Sequence, residues 1–251
     1  MSLLDALAVF LAGIAAGGIN TIVGSGTLIT FPTLLAVGYP PVLANVSNTV
    51  GLVPGSLSGA VGYRRELRGQ GGRLLRLGVA SLLGGIVGAL LLLKLPESAF
   101  GTIVPVLIGA GCVLVVVQPW IARHLRPSER TSVYAAWWVW PLVFAVGVYG
   151  GYFGAAQGVL LIAILGLGIA ESMQRMNAAK IVLALLVNTV AAVVFIVVSD
   201  VAWAAAGLIA AGGVIGGQIG AGVGRKLPAP VFRGFVAVVG AIAVVKLVFF
   251  D

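Results

Sequence analysis

Gly84 opens a stretch that reads GGIVGALLLLKLPESAF as far as Phe100, and Gly216, 132 residues later, opens another that reads GGQIGAGVGRKLPAPVF as far as Phe232. Glycines 84, 85 and 88 fall on 216, 217 and 220, Lys94-Leu95-Pro96 on Lys226-Leu227-Pro228, and Phe100 on Phe232. The same shift aligns Gly18 with Gly150, Gly26 with Gly158 and Asn45 with Asn177 without a gap. Self-similarity at one fixed offset is the signature of a structural unit used twice. Single glycine matches are cheap in a chain with 37 glycines, but the ordered Gly-Gly-x-x-Gly, Lys-Leu-Pro, Phe string is not.

Outward from that stretch the chain is apolar almost throughout. It has 251 residues, 60% hydrophobic and 9% charged, with a mean hydropathy of +1.15. A soluble domain carries about 25% charged residues, so the apolar surface exceeds what one soluble core can bury. Apolar runs of 18 or more residues recur, the length that crosses about 30 Å of hydrocarbon. Only helices or closed barrels satisfy their backbone inside lipid. Continuous rather than alternating runs select helices. The sequence predicts an all-α polytopic membrane protein made of two inverted repeats of five helical segments, with short broken or re-entrant helices. The first repeat covers 1–117, a basic cytoplasmic linker 118–132, and the second repeat 133–251. The segments run roughly 4–23, 26–38, 42–63, 74–93 and 100–117, then 134–156, 158–170, 177–198, 202–224 and 232–250. Those at 26–38 and 158–170 are short, about 20 Å at 1.5 Å per residue, and either cross the bilayer or pair with their predecessors as re-entrant hairpins.

Inversion follows from charge. Arg64, Arg65, Arg68, Arg73 and Arg76 occupy the loop after the third segment, whose counterpart holds Asp200 and no Lys or Arg. The turn after the fourth segment reverses the bias: Lys94 and Glu97 in the first unit, Arg225, Lys226 and Arg233 in the second. The positive-inside rule puts equivalent loops on opposite faces, and an odd number of spans per unit requires the same. With the Arg64–Arg76 loop inside, every arginine falls on the cytoplasmic side, including Arg123, Arg126 and Arg130 of the linker and Arg175. The termini then lie outside, in a bacterial inner membrane. Trp137, Trp138 and Trp140 sit where an aromatic belt belongs. The net charge of +8 is therefore an orientation signal rather than a nucleic-acid footprint. The N-terminus lacks the positive region of a cleaved signal peptide. Cys112 reads as a buried small hydrophobe.

Inverted repeats characterise secondary transporters, and interrupted segments at matching places mark the binding site. Here the breaks are Gly24-Ser25-Gly26-Thr27 and Ala155-Ala156-Gln157-Gly158, each before a short helix. A helix start presents free N–H groups and a positive partial charge, suited to an anion, and glycine admits close backbone approach. The same glycines could equally serve tight helix packing. Intramembrane polar residues usually face the bundle interior. They are Asn20 and Thr21 before the first break, the cluster Asn45, Ser47, Asn48 and Thr49, then Asn177, Lys180, Asn188, Thr189 and Gln218. Simple interhelical hydrogen bonding is the alternative role for each. Lys180, at the place of Asn48, either neutralises an anion or snorkels to the cytoplasmic face. The candidate solute-binding set is Asn20, Thr21, Gly24, Ser25, Gly26, Thr27, Asn45, Asn48, Gln157, Gly158, Asn177 and Lys180. Every carboxylate falls at a segment end or in a loop, and His124 in the basic linker, so a cavity bounded by helix starts favours an anionic or neutral solute. No metal site or cofactor is called for. An intramembrane enzyme would need a nucleophile–base pair or metal cluster in the membrane, and none is visible. A purely structural assembly protein would not explain the paired breaks. A homodimer is left open.

These residues resemble the TauE/SafE sulfite exporter family, also called the toluene-sulfonate uptake permeases. The likeness runs through the Gly-rich stretch Gly13 to Gly26, then Pro32, Leu34-Leu35, Gly38-Tyr39-Pro40-Pro41, and Ala44 to Thr49. The Gly84-Gly85-x-x-Gly88 run and the repeated Lys-Leu-Pro turns complete it. The resemblance covers essentially the whole chain. It implies transport of sulfur-containing anions such as sulfite, sulfoacetate or other organosulfonates, often as export from the cytoplasm. A passive anion channel of the same architecture is the alternative expectation.

Overall fold

The computed structural model describes residues 1–124, 136–223 and 229–249. Most of the expected linker, with Arg126, Glu129 and Arg130, and the second Lys226-Leu227-Pro228 turn with Arg225 lie outside the described residues. Those described form helices and their connections: α1 (Leu3–Ile22), α2 (Thr27–Ala36), α3 (Pro41–Gly62), α4 (Gly71–Lys94), α5 (Glu97–His124), α6 (Val139–Tyr152), α7 (Gln157–Gly168), α8 (Met173–Val198), α9 (Trp203–Val223) and α10 (Ala229–Phe249). α3, α4 and α5 begin at 41, 71 and 97, and α8, α9 and α10 begin at 173, 203 and 229, each 132 residues later. Local chemistry sets several starts. Ser2 and Asp5 form a reciprocal capping box at α1. Pro41 opens α3 where its missing N–H costs nothing. The Ser172 hydroxyl accepts from the Arg175 N–H at α8.

Five described helices are long and apolar enough to cross a membrane: α1, α4, α5 over Ala99–Trp120, α8 and α9. α3 is 22 residues long, but its Asn45–Thr49 cluster lowers its hydropathy. α2 and α7 have 10 and 12 residues, about 15 and 18 Å at 1.5 Å per residue. α6 is shorter than the predicted 134–156 segment, only 14 residues. Ahead of its start the Ala136 N–H donates to the Gly168 carbonyl at 3.3 Å, and a turn with Gly154 at φ +76° follows its end. α5 overruns its predicted end at 117 and continues to His124.

The glycines of the repeated string are helix contacts between the two halves. α4 lies on α6: Cβ atoms added at Gly84 and Gly151 would sit 2.9 Å from the Gly147 Cα and 3.0 Å from the Ala89 N. α9 lies on α1 in the same way, with Gly220 against Gly18 and Gly217 against the Gly55 carbonyl of α3. Small residues that let backbones approach are what hold helices together in lipid, where burying apolar surface gains little. α1, α3 and α9 run parallel to one another: Gly13, Gly17 and Gly18 meet Ile209, Gly213 and Gly216 in order, and Gly51, Gly55 and Gly62 meet Ile209, Gly213 and Ala221. α4 and α6 likewise run parallel. α3 and α8 run antiparallel. The end of α3, Ala60 and Tyr63, clusters with Ala178 and Ile181 early in α8, while Ser47 near the start of α3 accepts from the Ala202 N–H beyond the end of α8, at 2.9 Å. Exchanging each helix of the first five for its counterpart maps the α1–α9 packing onto α6–α4, α3–α9 onto α8–α4, and α2–α10 onto α7–α5.

One end of the bundle is fastened by charge. Arg73 of α4 pairs with Glu171 at 3.2 Å, and Arg175 of α8 with the same carboxylate at 2.7 Å. The Arg175 guanidinium also donates to the Arg68 carbonyl, and the Gln70 amide to the Arg175 carbonyl, each at 3.1 Å. The α3–α4 and α7–α8 connections therefore share one end, and Asp200, beyond the far end of α8, lies at the other. Apolar side chains such as Leu75, Val106 and Val197 point outward, the surface a bilayer would cover.

Candidate functional site

Two interruptions meet at the centre. The first, residues 23–26, separates α1 from α2, and Gly24 there has φ +88°. The second, residues 153–156, separates α6 from α7, with Gly154 at φ +76° and Ala156 at φ +58°. Gly24 and Ala156 are equivalent positions of the two halves, so both breaks turn through the left-handed region at the same place. That region costs an alanine roughly 1–2 kcal/mol. The Gly158 N–H donates to the Gly24 carbonyl at 3.0 Å, and a Cβ on Gly24 would sit 2.5 Å from the Gly158 Cα. The Gly158 amide, a candidate for binding the solute, is therefore engaged in joining the breaks. Phe31 of α2 and Phe153 of the second break stack edge to face with centroids 5.2 Å apart, on the apolar side of the junction.

α3 and α8 reach across to grip the broken ends. Asn177 donates its amide to the Thr21 carbonyl at 3.2 Å, and Asn45 donates to the Tyr152 carbonyl at 2.9 Å. Each asparagine thus satisfies a carbonyl left free where the first helix of the opposite half ends. One turn on, Lys180 is 1% exposed. Its Nζ lies 3.4 Å from the Asn20 carbonyl and 3.3 Å from the Thr21 carbonyl, at the negative end of α1. Its stem passes Gly158, where an added Cβ would be 3.1 Å from the Lys180 Cδ. Lys180 therefore bridges both breaks and does not snorkel outward. Its counterpart Asn48 stays within its own half, donating to the Thr27 hydroxyl at 3.4 Å and accepting from the Thr30 hydroxyl.

A small, partly open recess lies beside the junction, with a volume of about 10 Å³, room for roughly one water, lined by Asn20, Thr21, Gly24, Ser56, Lys180, Ile181 and Ala184. Four of the predicted residues, Asn20, Thr21, Gly24 and Lys180, line it. Ser25 and Gln157, equivalent positions at the two breaks, are buried, and the Ser25 Oγ and Gln157 Nε2 have no hydrogen-bond partner among the described residues. Gly26 is packed against the Ala16 carbonyl of α1. Thr27, Asn45 and Asn48 belong to the α2–α3 side and Asn177 to the grip on α1, so these support the junction rather than line the space. Gln218 donates to Ser58 of α3, at 3.0 Å to its carbonyl and 2.9 Å to its hydroxyl, the interhelical role. Ser56 was missed by the sequence reading. It accepts from the Asn20 amide at 3.1 Å, and its counterpart 132 residues on is Asn188, so the repeat itself pointed to it. The arrangement sets the Lys180 amine and neutral donors from Asn20 and Ser56 around this recess.

The model of the sulfite exporter TauE/SafE family matches residues 9–247. A probable membrane transporter protein of Haemophilus influenzae is 24% identical over 98% of this chain and 96% of its own. The probable membrane transporter protein ORF9 of a Sinorhizobium species is 26% identical over 95% of this chain and 90% of its own. The probable membrane transporter protein YfcA of Escherichia coli K12 is 24% identical over 96% and 88%. No solved structure matches the chain. Helices built to cross a bilayer, two interrupted ones among them meeting at a buried lysine, accord with that match, and the chain belongs to the sulfite exporter TauE/SafE family of membrane transporters.

Proposed function

We propose that the protein is a secondary carrier for small sulfur-containing anions, sulfite or organosulfonates, and exports them by alternating access. The observation that carries this reading is Lys180, a lysine buried at the meeting point of both breaks and lining the recess beside them. A charge inside a membrane protein is costly and persists where function needs it. Membership of a family of sulfite exporters supports the solute class and the direction. The antiparallel course of α3 and α8, with the exchange symmetry of the helix packing, supports inverted repeats about an axis in the membrane plane. The arginine-rich end then faces the cytoplasm of a bacterial inner membrane, and the termini lie outside. The Gly24–Gly158 junction closes the direct path between the breaks, which favours a carrier over an open pore.

Purified protein is tested by thermal shift against sulfite, sulfoacetate, taurine, thiosulfate and sulfate, since a specific ligand raises the melting temperature by mass action. Counterflow in liposomes then separates the mechanisms: a carrier trades external for internal anion across the membrane, and a pore does not. Stabilisation by neutral solutes alone would sink the anion reading, and flux without saturation or counterflow would sink the carrier.

A further inference from the structure

We infer that the site is built for a singly charged anion, with Lys180 as its only balancing charge. This rests on the anion-carrier reading and fixes the valence of the solute within it. Among the described residues Lys180 is the one charged side chain lining the cavity. Among the described residues the two ion pairs, Arg73–Glu171 and Arg175–Glu171, lie at the end of the bundle and do not include it. Its own partners are two main-chain carbonyls at long range. An ammonium has three N–H donors, so one is left for a ligand oxygen, and an anion seated there supplies the countercharge that the neutral carbonyls do not.

The exchange symmetry of the helices does not double that charge. The counterpart of Lys180 is Asn48, neutral and engaged with Thr27 and Thr30. The other polar groups around the breaks are also uncharged: Asn20 and Ser56 at the cavity, and the unpartnered Ser25 hydroxyl and Gln157 amide. Of these, Asn20 and Ser56 can donate hydrogen bonds to the oxygens of a sulfonate without adding charge. A monoanion therefore leaves the loaded site neutral. A dianion leaves a net negative charge away from water, which is disfavoured unless paired. Sulfonates with a single ionised group, and hydrogen sulfite, fit this arithmetic. Sulfate and doubly ionised sulfoacetate do not.

The test compares three ligands of similar shape on the intact purified protein by fluorescence titration and thermal shift: methanesulfonate with one charge, sulfate with two, and dimethyl sulfone with none. Methanesulfonate is expected to bind at least about tenfold more tightly than either of the others. In Lys180→Gln the preference for methanesulfonate over the neutral sulfone should disappear, a change in ratio that a merely structural role would not produce. The wild-type comparison stands if that variant fails to fold. Sulfate binding as tightly as methanesulfonate would overturn the valence and leave the anion carrier intact. Binding of the sulfone alone, or of none of the three, would overturn both.

Discussion

Replacing Gly24 by alanine tests the junction between the two breaks most directly. The new Cβ would lie 2.5 Å from the Gly158 Cα, 3.1 Å from its carbonyl carbon and 3.2 Å from its nitrogen. Those neighbours are backbone, so no side chain can turn away. At φ +88° an alanine also pays the left-handed penalty of roughly 1–2 kcal/mol. Overpacking a close contact costs about 1–3 kcal/mol, and displacing Gly158 weakens the 3.0 Å bond to the Gly24 carbonyl, worth about 1 kcal/mol. Together these amount to roughly 3–6 kcal/mol. A melting curve of the detergent-solubilised protein reads the loss, at about 2–4 °C per kcal/mol for a chain of this size, and counterflow reads its effect on transport. Ala156→Gly, at the equivalent place, is the control. It relieves the same left-handed strain but adds unfolded-chain freedom worth about 0.5–1 kcal/mol, so its melting temperature should stay within a few degrees of wild type. If Gly24→Ala melts and transports like wild type, the breaks do not touch and the central site has another form.

Lys180→Met should abolish or strongly weaken anion binding and transport, measured by thermal shift and counterflow; unchanged activity would reduce Lys180 to an anchor for the end of α1. Glu171→Gln leaves the Arg73 and Arg175 guanidiniums without their shared carboxylate. With side-chain exposures of 8, 20 and 31%, the loss should be about 2–3 kcal/mol, below the buried-pair range, and seen as a lower melting temperature that high salt narrows. Asn45→Ala takes the side-chain donor from the Tyr152 carbonyl and should cost about 1–3 kcal/mol, whereas Asn177→Ala leaves the Thr21 carbonyl its bond from Lys180 and should cost less, about 0.5–1.5 kcal/mol, with near-additive effects in the double variant because they grip different helix ends. In a Cys112→Ser background, cysteines at Arg65 and Asp200 should react with an impermeant thiol reagent from opposite faces of the membrane; labelling from one face would remove the inversion.

The sequence made the breaks legible because glycine and small polar residues interrupt otherwise unbroken apolar runs, and the structure interrupts the helices at 23–26 and 153–156. Helix starts were legible only approximately from the apolar runs: the segment expected from 42 begins at Pro41, but the one expected from 177 begins at Met173, where the polar turn of α8 hides the start. Partner choice was not. In lipid every helix is apolar, so hydropathy gives no hint that Gly84 and Gly88 of α4 seek α6, or that Gly216 and Gly220 of α9 seek α1. The aim of Lys180 was equally hidden, because whether a long side chain snorkels or folds inward depends on carbonyls 160 residues away, those of Asn20 and Thr21. α6 stops short of its apolar run because the chain turns through the left-handed region at Gly154 and Ala156, which hydropathy does not register.

The crossed partnership of α1 with α9 and of α4 with α6 bears on how the chain is made. When α1 leaves the ribosome, the surface it will rest on is still about 180 residues from being synthesised. At roughly 5–20 residues per second, that is a wait on the order of ten to forty seconds, with a seam of bare glycine backbone facing lipid. Newly inserted first halves would be the vulnerable species during biosynthesis, prone to pairing with a neighbouring nascent chain or to capture by membrane quality-control proteases. Supplying the second half from a separate message should rescue them.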